Sequence, residues 1–218
     1  MPGSDSGGRW PAAAASLVTG AVGRWQLARP GADGPLVVAI DGHGAAGKST
    51  IAGLVAAATG ATLVHTDDFF ASPARAAGAD RTAGGPRAAE QALGRYYDWR
   101  RLRAQALQPL REGRAASFRR FDWDRGRGLD GTVRAAPGDL VIVEGVFSAA
   151  PVLSDLVGRS VFVDTPEPER LRRLRGRITP EEWDDDWLSA ERAYFSLVRP
   201  LPSFDLVVPG ADPVIAGV

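Results

Sequence analysis

Residues 42–49 carry the most specific chemical pattern in the sequence, Gly-His-Gly-Ala-Ala-Gly-Lys-Ser. The stretch fits G-x-x-x-x-G-K-[ST], the phosphate-binding P-loop, at every position. In such a loop the small residues let backbone N–H groups curl around a polyphosphate. The lysine, here Lys48, reaches the β- and γ-phosphates, and the hydroxyl of Ser49 binds Mg²⁺. The predicted nucleotide-binding residues are Gly42, His43, Gly44, Ala45, Ala46, Gly47, Lys48, Ser49 and Thr50.

The use of lysine favours this interpretation over a chance match in a chain rich in glycine and alanine. Lys48 is the one lysine among 26 basic residues, and all the others are arginine. A compact ammonium group suits phosphate as a point charge, whereas a guanidinium is a wider, planar donor. The sequence therefore has its lysine at the position where a P-loop needs one.

Acidic residues follow two further runs of apolar residues. Asp67 and Asp68 come after residues 62–66, and Glu144 closes the run that begins at residue 139. In open α/β sheets, ligands bind at the carboxyl ends of the strands, so we expect these carboxylates beside the P-loop. There they could accept the proton of an attacking hydroxyl or help to hold Mg²⁺. A helix N-cap for the aspartates and a buried structural acid for Glu144 are the alternatives.

Aromatic residues flank acids at three points, namely Asp67-Asp68-Phe69-Phe70, Tyr96-Tyr97-Asp98-Trp99 and Phe121-Asp122-Trp123. Such pairs suit a pocket that stacks on a base and binds hydroxyls, and they would equally suit a sheet edge. Asp98 is either the N-cap of the helix that follows it or a ligand to a sugar hydroxyl. The local sequence does not separate these two roles.

Residues 166–177 predict a helix that is dense in basic side chains, with arginine at Arg170, Arg172, Arg173, Arg175 and Arg177. A solvated helix face would have this composition. The interpretation we favour is a lid that closes over a transferring phosphoryl group, because fork-shaped guanidinium donors match phosphate oxygens.

The elements that must position these residues follow from hydrophobic patterning. Apolar runs predict strands at 36–40, 62–66, 139–145, 160–164 and 205–208, and 116–124 predicts a strand followed by a polar turn. Helical spacing predicts helices at 11–28, 49–58, 96–111, 166–177 and 180–197. We interpret 71–95 as a mobile loop over the site.

Composition limits the classes of protein to consider. The 218 residues have a formal net charge of zero and no cysteine. We therefore expect no nucleic-acid partner, no disulfide and no thiolate zinc site. No run reaches the roughly 18 apolar residues of a membrane span. We expect a cytoplasmic protein without a membrane partner, although residues 11–22 could pass for a signal h-region. Homo-oligomerisation is left open.

With these motifs in this order, residues from about 36 to 208 resemble the uridine kinase/phosphoribulokinase-like P-loop kinases. That family also holds nicotinamide riboside kinase and bacterial pantothenate kinase. The resemblance implies a three-layer α/β fold, with a parallel central sheet flanked by helices. It implies ATP as the donor, Mg²⁺ as the metal and a primary hydroxyl as the acceptor. We divide the chain into a tail with a peripheral helix at 1–33 and a kinase domain at 34–218, with a lid at about 166–180.

The resemblance also implies roles for individual residues. Asp67 is similar to the family's general base, Asp98 to the carboxylate that binds the ribose 2′- and 3′-hydroxyls, and Ser49 and Glu144 to its Mg²⁺ partners. The lid residues are implied to be Arg173 and Arg175 as catalytic groups, and Arg177 at the nucleotide. The acceptor site is implied to consist of Asp67, Phe70, Tyr97, Asp98, Phe121 and Trp123.

The sequence departs from uridine kinases at one informative place. Those enzymes carry a base-contacting histidine shortly after the motif that residues 121–123 match, and here residues 124–127 are Asp-Arg-Gly-Arg. Residues 67–70 are closer to nicotinamide riboside kinase. We predict an ATP-dependent kinase acting on the 5′-hydroxyl of a nucleoside, such as uridine or cytidine, or of another ribosyl compound. Nicotinamide riboside, pantothenate, a sugar or a natural product are the alternative acceptors.

A protein of another class, a nucleotide-dependent switch or regulatory ATPase, would share the P-loop but would not need an acidic and aromatic pocket opposite it. A GTPase is disfavoured, because guanine-specific proteins carry an Asn-Lys-x-Asp motif and this chain has no second lysine.

Overall fold

The computed structural model describes residues 9–31, 34–71, 93–126, 128–176 and 185–212. In chain order its strands are β1 (Leu36–Asp41), β2 (Thr62–His65), β3 (Ala116–Phe121), β4 (Leu129–Ala135), β5 (Leu140–Glu144), β6 (Arg159–Asp164) and β7 (Leu206–Pro209). The described helices are α1 (Trp10–Leu27), α2 (Lys48–Thr59), α3 (99–111), α4 (Glu167–Arg175) and α5 (Asp185–Ala193). The part Leu102–Leu107 of α3 is π-helical, and α5 continues into a π-helical segment, Tyr194–Val198.

Five strands form one parallel sheet in the order β2-β5-β1-β6-β7. β1 lies at the centre and pairs with β5 on one side and β6 on the other. Every residue of β1 and β5 is buried, as expected for apolar strands covered on both faces. The predicted α/β fold with a parallel central sheet is confirmed.

Side chains of β1 alternate between two cores, one on each face of the sheet. Leu36, Val38 and Ile40 pack in the core formed with α1 and α2. Val37 and Ala39 pack in the larger core, which includes α3 and the aromatic residues that follow α5. The alternation follows from the period of two in a strand. It produces the three layers that the resemblance implies.

The strands β3 and β4 form a separate antiparallel hairpin. The sequence predicted β3 but not β4. The reason is that β4 is mostly exposed, with Ala135 its one buried residue, so that it lacks the apolar run by which the buried strands were identified. A bulge between Arg119 and Arg120 shifts the register near the end of β3 that leads to Trp123.

The helix predicted at 11–28 is observed as α1, which packs on α2 and on β7. Its buried residues are small or β-branched, namely Ala14, Ala15, Val18, Ala21 and Val22. Such side chains allow a close approach to α2, so that the first residue of α1, Trp10, comes to lie at the P-loop. The boundary between residues 33 and 34 stays a prediction.

Among the described helices, none combines the length and the apolar character that crossing a membrane requires. Several predicted features lie outside the described residues. These are the tail 1–8, most of the loop predicted at 71–95, the end of the lid from residue 177, including Arg177, and the first part of the helix predicted at 180–197.

Two glycines give opposite predictions for stability. Gly145 follows β5 with φ at 140°, and a Cβ there would overlap the Thr66 hydroxyl. Gly145→Ala should therefore lower the free energy of unfolding by about 1–3 kcal/mol. Gly53 lies on the exposed face of α2, and a Cβ at this position would have no neighbouring atom within 4 Å. Gly53→Ala should raise the free energy of unfolding by about 0.5–1 kcal/mol.

Urea denaturation of both variants measures these changes. An unchanged midpoint for Gly145→Ala would show that the backbone after β5 does not require a glycine, and a stabilising effect there would contradict the geometry.

Candidate active site

The P-loop connects the carboxyl end of β1 to the start of α2. Gly42 and Gly47 have φ values of 147° and 97°, where glycine is favoured, and Ala45 adopts a positive φ of 59°. These conformations curl the loop so that α2 begins at Lys48. An anion in the loop would therefore meet the positive end of the α2 dipole.

Lys48 is buried, and its Nζ donates to the carbonyl oxygen of His43 at 2.8 Å. The ammonium group thus folds back across its own loop. Its positive charge acts on three buried or cleft carboxylates, those of Asp41, Asp67 and Glu191. It is therefore the charge around which the acidic residues of the site are grouped.

Asp41, the last residue of β1, has a structural role that the sequence analysis missed. Its fully buried carboxylate accepts four hydrogen bonds, from the N–H groups of Gly42 (2.7 Å), Phe147 (2.9 Å) and Ala149 (3.0 Å) and from the Tyr194 hydroxyl (2.9 Å). Burial raises the pKa of the carboxyl, although the hydrogen bonds and a nearby positive charge oppose that shift. One side chain thus joins the P-loop, the loop after β5 and the end of α5.

Ser49 and Glu144, the predicted metal partners, are in contact. The Ser49 hydroxyl donates to Glu144 Oε2 at 3.1 Å, and His65 Nδ1 lies 2.5 Å from Glu144 Oε1. The hydrogen bond to Glu144 raises the pKa of His65. A hydroxyl and a carboxylate fit Mg²⁺, which binds through one or two protein oxygens and completes its shell with water and substrate phosphates. Within the described residues no cluster of three or more His, Asp or Glu residues could hold a metal alone.

Asp67 follows β2 in the short 3₁₀ turn Thr66–Phe69, on the same edge of the sheet as Glu144. The Tyr97 hydroxyl donates to Asp67 Oδ1 at 2.9 Å. Asp67 is exposed in the cleft, but the surrounding protein partly desolvates its carboxyl and raises the pKa of that group. The charge of Glu144 acts in the same direction. Asp67 is therefore a fixed carboxylate of increased basicity, beside the predicted metal pair.

Burial and the nearby Asp67 raise the pKa of Tyr97 well above its usual value, so that its phenol stays protonated and remains a donor. Asp98, the next residue, caps α3, since its Oδ1 accepts from the N–H of Arg101 at 3.2 Å. The structure thus shows the N-cap role that the sequence left open. A role toward a ribose stays a prediction.

Aromatic rings line the cleft next to Asp67. Phe70 contacts Tyr97, Phe121 and Trp123, with ring centroids 5.7, 5.4 and 4.9 Å away. Trp123 is 54% exposed, so that a large part of its surface is available to a ligand. Trp187 of α5 joins the same cluster, at 6.3 Å from Phe70. The sequence predicted this helix but did not place it at the site.

The predicted lid arginines differ in their surroundings. Arg173 Nη1 and Nη2 donate to the carbonyl oxygens of Ala45 (3.3 Å) and Gly210 (2.9 Å), and its Nε donates to Glu169. Arg173 thus lies against the P-loop itself. Arg175 is exposed at the end of α4. The catalytic roles of these two residues stay predictions.

Glu191 of α5 is a second residue that the sequence analysis missed. Its carboxylate is buried, and it accepts from the Gly44 N–H at 3.0 Å and from the Trp187 indole at 2.6 Å. His43 Nδ1 lies 3.0 Å from it, and Arg170 forms an ion pair with it at 3.9 Å. Burial alone would raise the pKa of Glu191, but the bond with His43 and nearby positive charge lower it. Glu191 connects the P-loop to the aromatic cluster through Trp187.

No protein-family model matches the chain. A uridine kinase from Staphylococcus aureus (strain JH9) is 32% identical to it over 101 residues, which make up 46% of this chain and 48% of that protein. The chain thus spans about half the length of the curated relatives it matches.

Two solved structures share the fold over most of their length. A possible uridine kinase from Bacillus stearothermophilus has a TM-score of 0.64 at 18% identity, covering 89% of this chain and 97% of that one. The D-glycerate 3-kinase from Cryptococcus neoformans var. grubii has a TM-score of 0.59 at 12% identity, covering 92% and 97%. The chain is thus similar to a uridine kinase over about half of its length, and it shares the fold of these two solved structures. The family resemblance predicted from the motifs is thereby confirmed.

The fold brings together three of the predicted groups. Ser49 with Glu144, Asp67 with Tyr97, and Phe70 with Trp123 are each in contact. The residues that the sequence missed, Asp41 and Glu191, come from a strand end and a late helix. Neither matches a short motif, and their partners are backbone N–H groups and side chains of distant segments, which no local pattern reveals.

Asp41 yields a prediction about the integrity of the site. In Asp41→Asn the amide NH₂ must face at least one N–H donor, so the variant should lose about 2 kcal/mol or more of unfolding free energy. Tyr194→Phe removes one bond to the same carboxylate and should cost about 1 kcal/mol. Thermal and urea unfolding of both variants measure which of the two is less stable. A Tyr194→Phe variant less stable than Asp41→Asn would contradict the role assigned to the carboxylate.

Proposed function

We propose that the protein is an ATP-dependent kinase that transfers the γ-phosphoryl group to a primary hydroxyl of a small molecule. The observation that carries the proposal is the position of Asp67. It is held by Tyr97 in the cleft where the charges of Lys48 and Glu144 also act. A P-loop that only binds nucleotide has no need of a fixed carboxylate at this place.

The phosphate end of the site has the parts that phosphoryl transfer requires. The P-loop backbone and Lys48 would hold the β- and γ-phosphates. Ser49 and Glu144 would hold Mg²⁺, which when bound supplies positive charge to the phosphate oxygens. Arg175 at the end of α4 would neutralise charge that develops on the phosphoryl group, and Arg173, held by the Ala45 and Gly210 carbonyls, would act on the nucleotide from the β7 side of the P-loop. Catalysis is then mainly positioning and electrostatics.

The acceptor end of the site supplies the general base. Asp67 Oδ1 accepts from Tyr97, which fixes the orientation of the carboxylate. In the proposal Oδ2 receives the proton of the acceptor hydroxyl as the new P–O bond forms. The raised pKa of Asp67 suits that task, because a more basic carboxylate takes a proton more readily.

The acceptor is proposed to be a nucleoside or a related ribosyl compound with a 5′-hydroxyl. The support is the aromatic cluster of Phe70, Phe121 and Trp123, which offers ring faces for stacking, and the neighbouring Asp98 as a partner for ribose hydroxyls. The name of the Staphylococcus aureus relative is consistent with a pyrimidine nucleoside. A cytoplasmic location belongs to the same proposal.

A panel of acceptors tests the function directly. Purified protein is incubated with ATP and Mg²⁺ and with uridine, cytidine, nicotinamide riboside, pantothenate, fructose or glycerate. ADP release and the mass of the phosphorylated product are then measured. The proposal expects a product 80 mass units heavier with uridine, cytidine or nicotinamide riboside. Phosphorylation of pantothenate, fructose or glycerate alone would support kinase activity but contradict the proposal that the acceptor is a nucleoside. ATP hydrolysis that no acceptor changes would favour a switch or regulatory ATPase.

The aspartate pair gives a sharper prediction. Asp67→Asn preserves size and the hydrogen bond from Tyr97 but removes the basic oxygen. The kcat should therefore fall about 10²–10⁴-fold while ATP binding survives. Asp68→Asn, the matched control, should lose much less. A larger loss in Asp68→Asn would show that the base is the other carboxylate. Near-normal turnover in both variants would count against general-base catalysis here.

A further inference from the structure

Trp10 lies at the P-loop although it belongs to α1, outside the part of the chain that resembles uridine kinases. Its ring stands so close to Gly47 that a Cβ on that residue would overlap ring atom Cη2. The backbone N–H of Trp10 donates to Asp212 Oδ1 at 3.0 Å, which ties the start of α1 to the segment after β7. The ring is only partly buried, unlike the core residues of α1.

The order of the strands indicates which end of a nucleotide would reach Trp10. Asp67 and Glu144 follow β2 and β5, which lie on one side of β1 and its P-loop. A triphosphate whose γ-phosphate faces those carboxylates must extend its other end toward β6 and β7. Trp10 is on that side, because its backbone N–H is hydrogen-bonded to Asp212, which follows β7. The end of the nucleotide that lies there is the base.

Arg173 holds the ring at this place. Its guanidinium carbon lies 4.9 Å from the centroid of the Trp10 ring, while the same group donates to the Ala45 and Gly210 carbonyls. The cation therefore connects Trp10, the P-loop and the segment after β7. A base that stacks on the indole would find it already ordered, which lowers the entropic cost of binding.

We propose that Trp10 forms one wall of the base-binding site and stacks on the adenine of ATP. The proposal rests on phosphate binding at the P-loop, which is part of the proposed function. It does not depend on which acceptor is used or on turnover. It assigns to α1 a role in nucleotide binding that the sequence did not suggest, since the helix was predicted only as a peripheral element.

The test compares a ligand that has a base with one that has none. Binding of ATP and of inorganic tripolyphosphate, each with Mg²⁺, is measured by calorimetry. The proteins are the wild type, Trp10→Ala, Trp10→Phe and the control Trp25→Ala. Trp25 lies on the same helix and contacts Arg159 instead of the P-loop. The melting temperature of each variant is recorded to confirm folding.

We expect Trp10→Ala to lose about ten-fold or more in ATP affinity, because the loss of one base–aromatic stacking contact weakens binding by about this factor. Its affinity for tripolyphosphate should stay unchanged. Trp10→Phe should retain most of the ATP affinity, and Trp25→Ala all of it. Equal losses for both ligands would show that Trp10 only supports the loop, and unchanged or tighter ATP binding would show that the ring does not hold the base. Either result overturns the proposal.

Two results for the wild type separate this inference from the proposed function. Tripolyphosphate binding as tight as that of ATP would overturn the stacking role and leave the phosphate site intact. Failure to bind either ligand would overturn both. Base-dependent binding that Trp10→Ala abolishes would support the inference even if no acceptor in the panel were phosphorylated.

Discussion

The site depends on the buried carboxylate of Asp41. A carboxylate can accept several hydrogen bonds at once, and here it accepts three from backbone N–H groups and one from Tyr194. Phe147, which holds a positive φ of 67°, is one of the residues bound in this way. The P-loop, the loop after β5 and the end of α5 are thus fixed relative to one another by one side chain. The phosphate-binding loop and one residue of the aromatic cluster, Trp187, belong to these same segments.

A second constraint is the balance of charge around Lys48. Lys48 is the sole lysine of the chain, and the charge of its ammonium group acts on the carboxylates of Asp41, Asp67 and Glu191. A polyphosphate that entered this acidic surrounding alone would meet strong repulsion. In the proposed mechanism, Mg²⁺ at Ser49 and Glu144 offsets that repulsion, while the raised pKa of Asp67 prepares it to take a proton. The acidic residues then serve chemistry rather than oppose binding.

The sequence was sufficient to predict those elements that a local motif or a run of apolar residues specifies. The P-loop, the buried strands and the contact of Ser49 with Glu144 follow from a motif, from apolar runs and from the rule that parallel strands end at one edge. The exposed strand β4 lacks an apolar run and was missed. Asp41, Glu191 and Trp10 were missed for another reason: they act through backbone groups or a ring contact across distant segments, and no spacing in the sequence encodes such contacts.

The most direct test of the central claim, that the P-loop with Lys48 is a nucleotide-phosphate site, is calorimetric titration of ATP–Mg²⁺ into the wild type and Lys48→Ala. Lys48 Nζ donates to the carbonyl oxygen of His43 in its own loop, so circular dichroism should show that the variant remains folded. We predict that ATP affinity falls about ten-fold or more, because a charge-assisted bond to phosphate contributes about 1.5–3 kcal/mol. Equal ATP affinity in the two proteins would contradict the account.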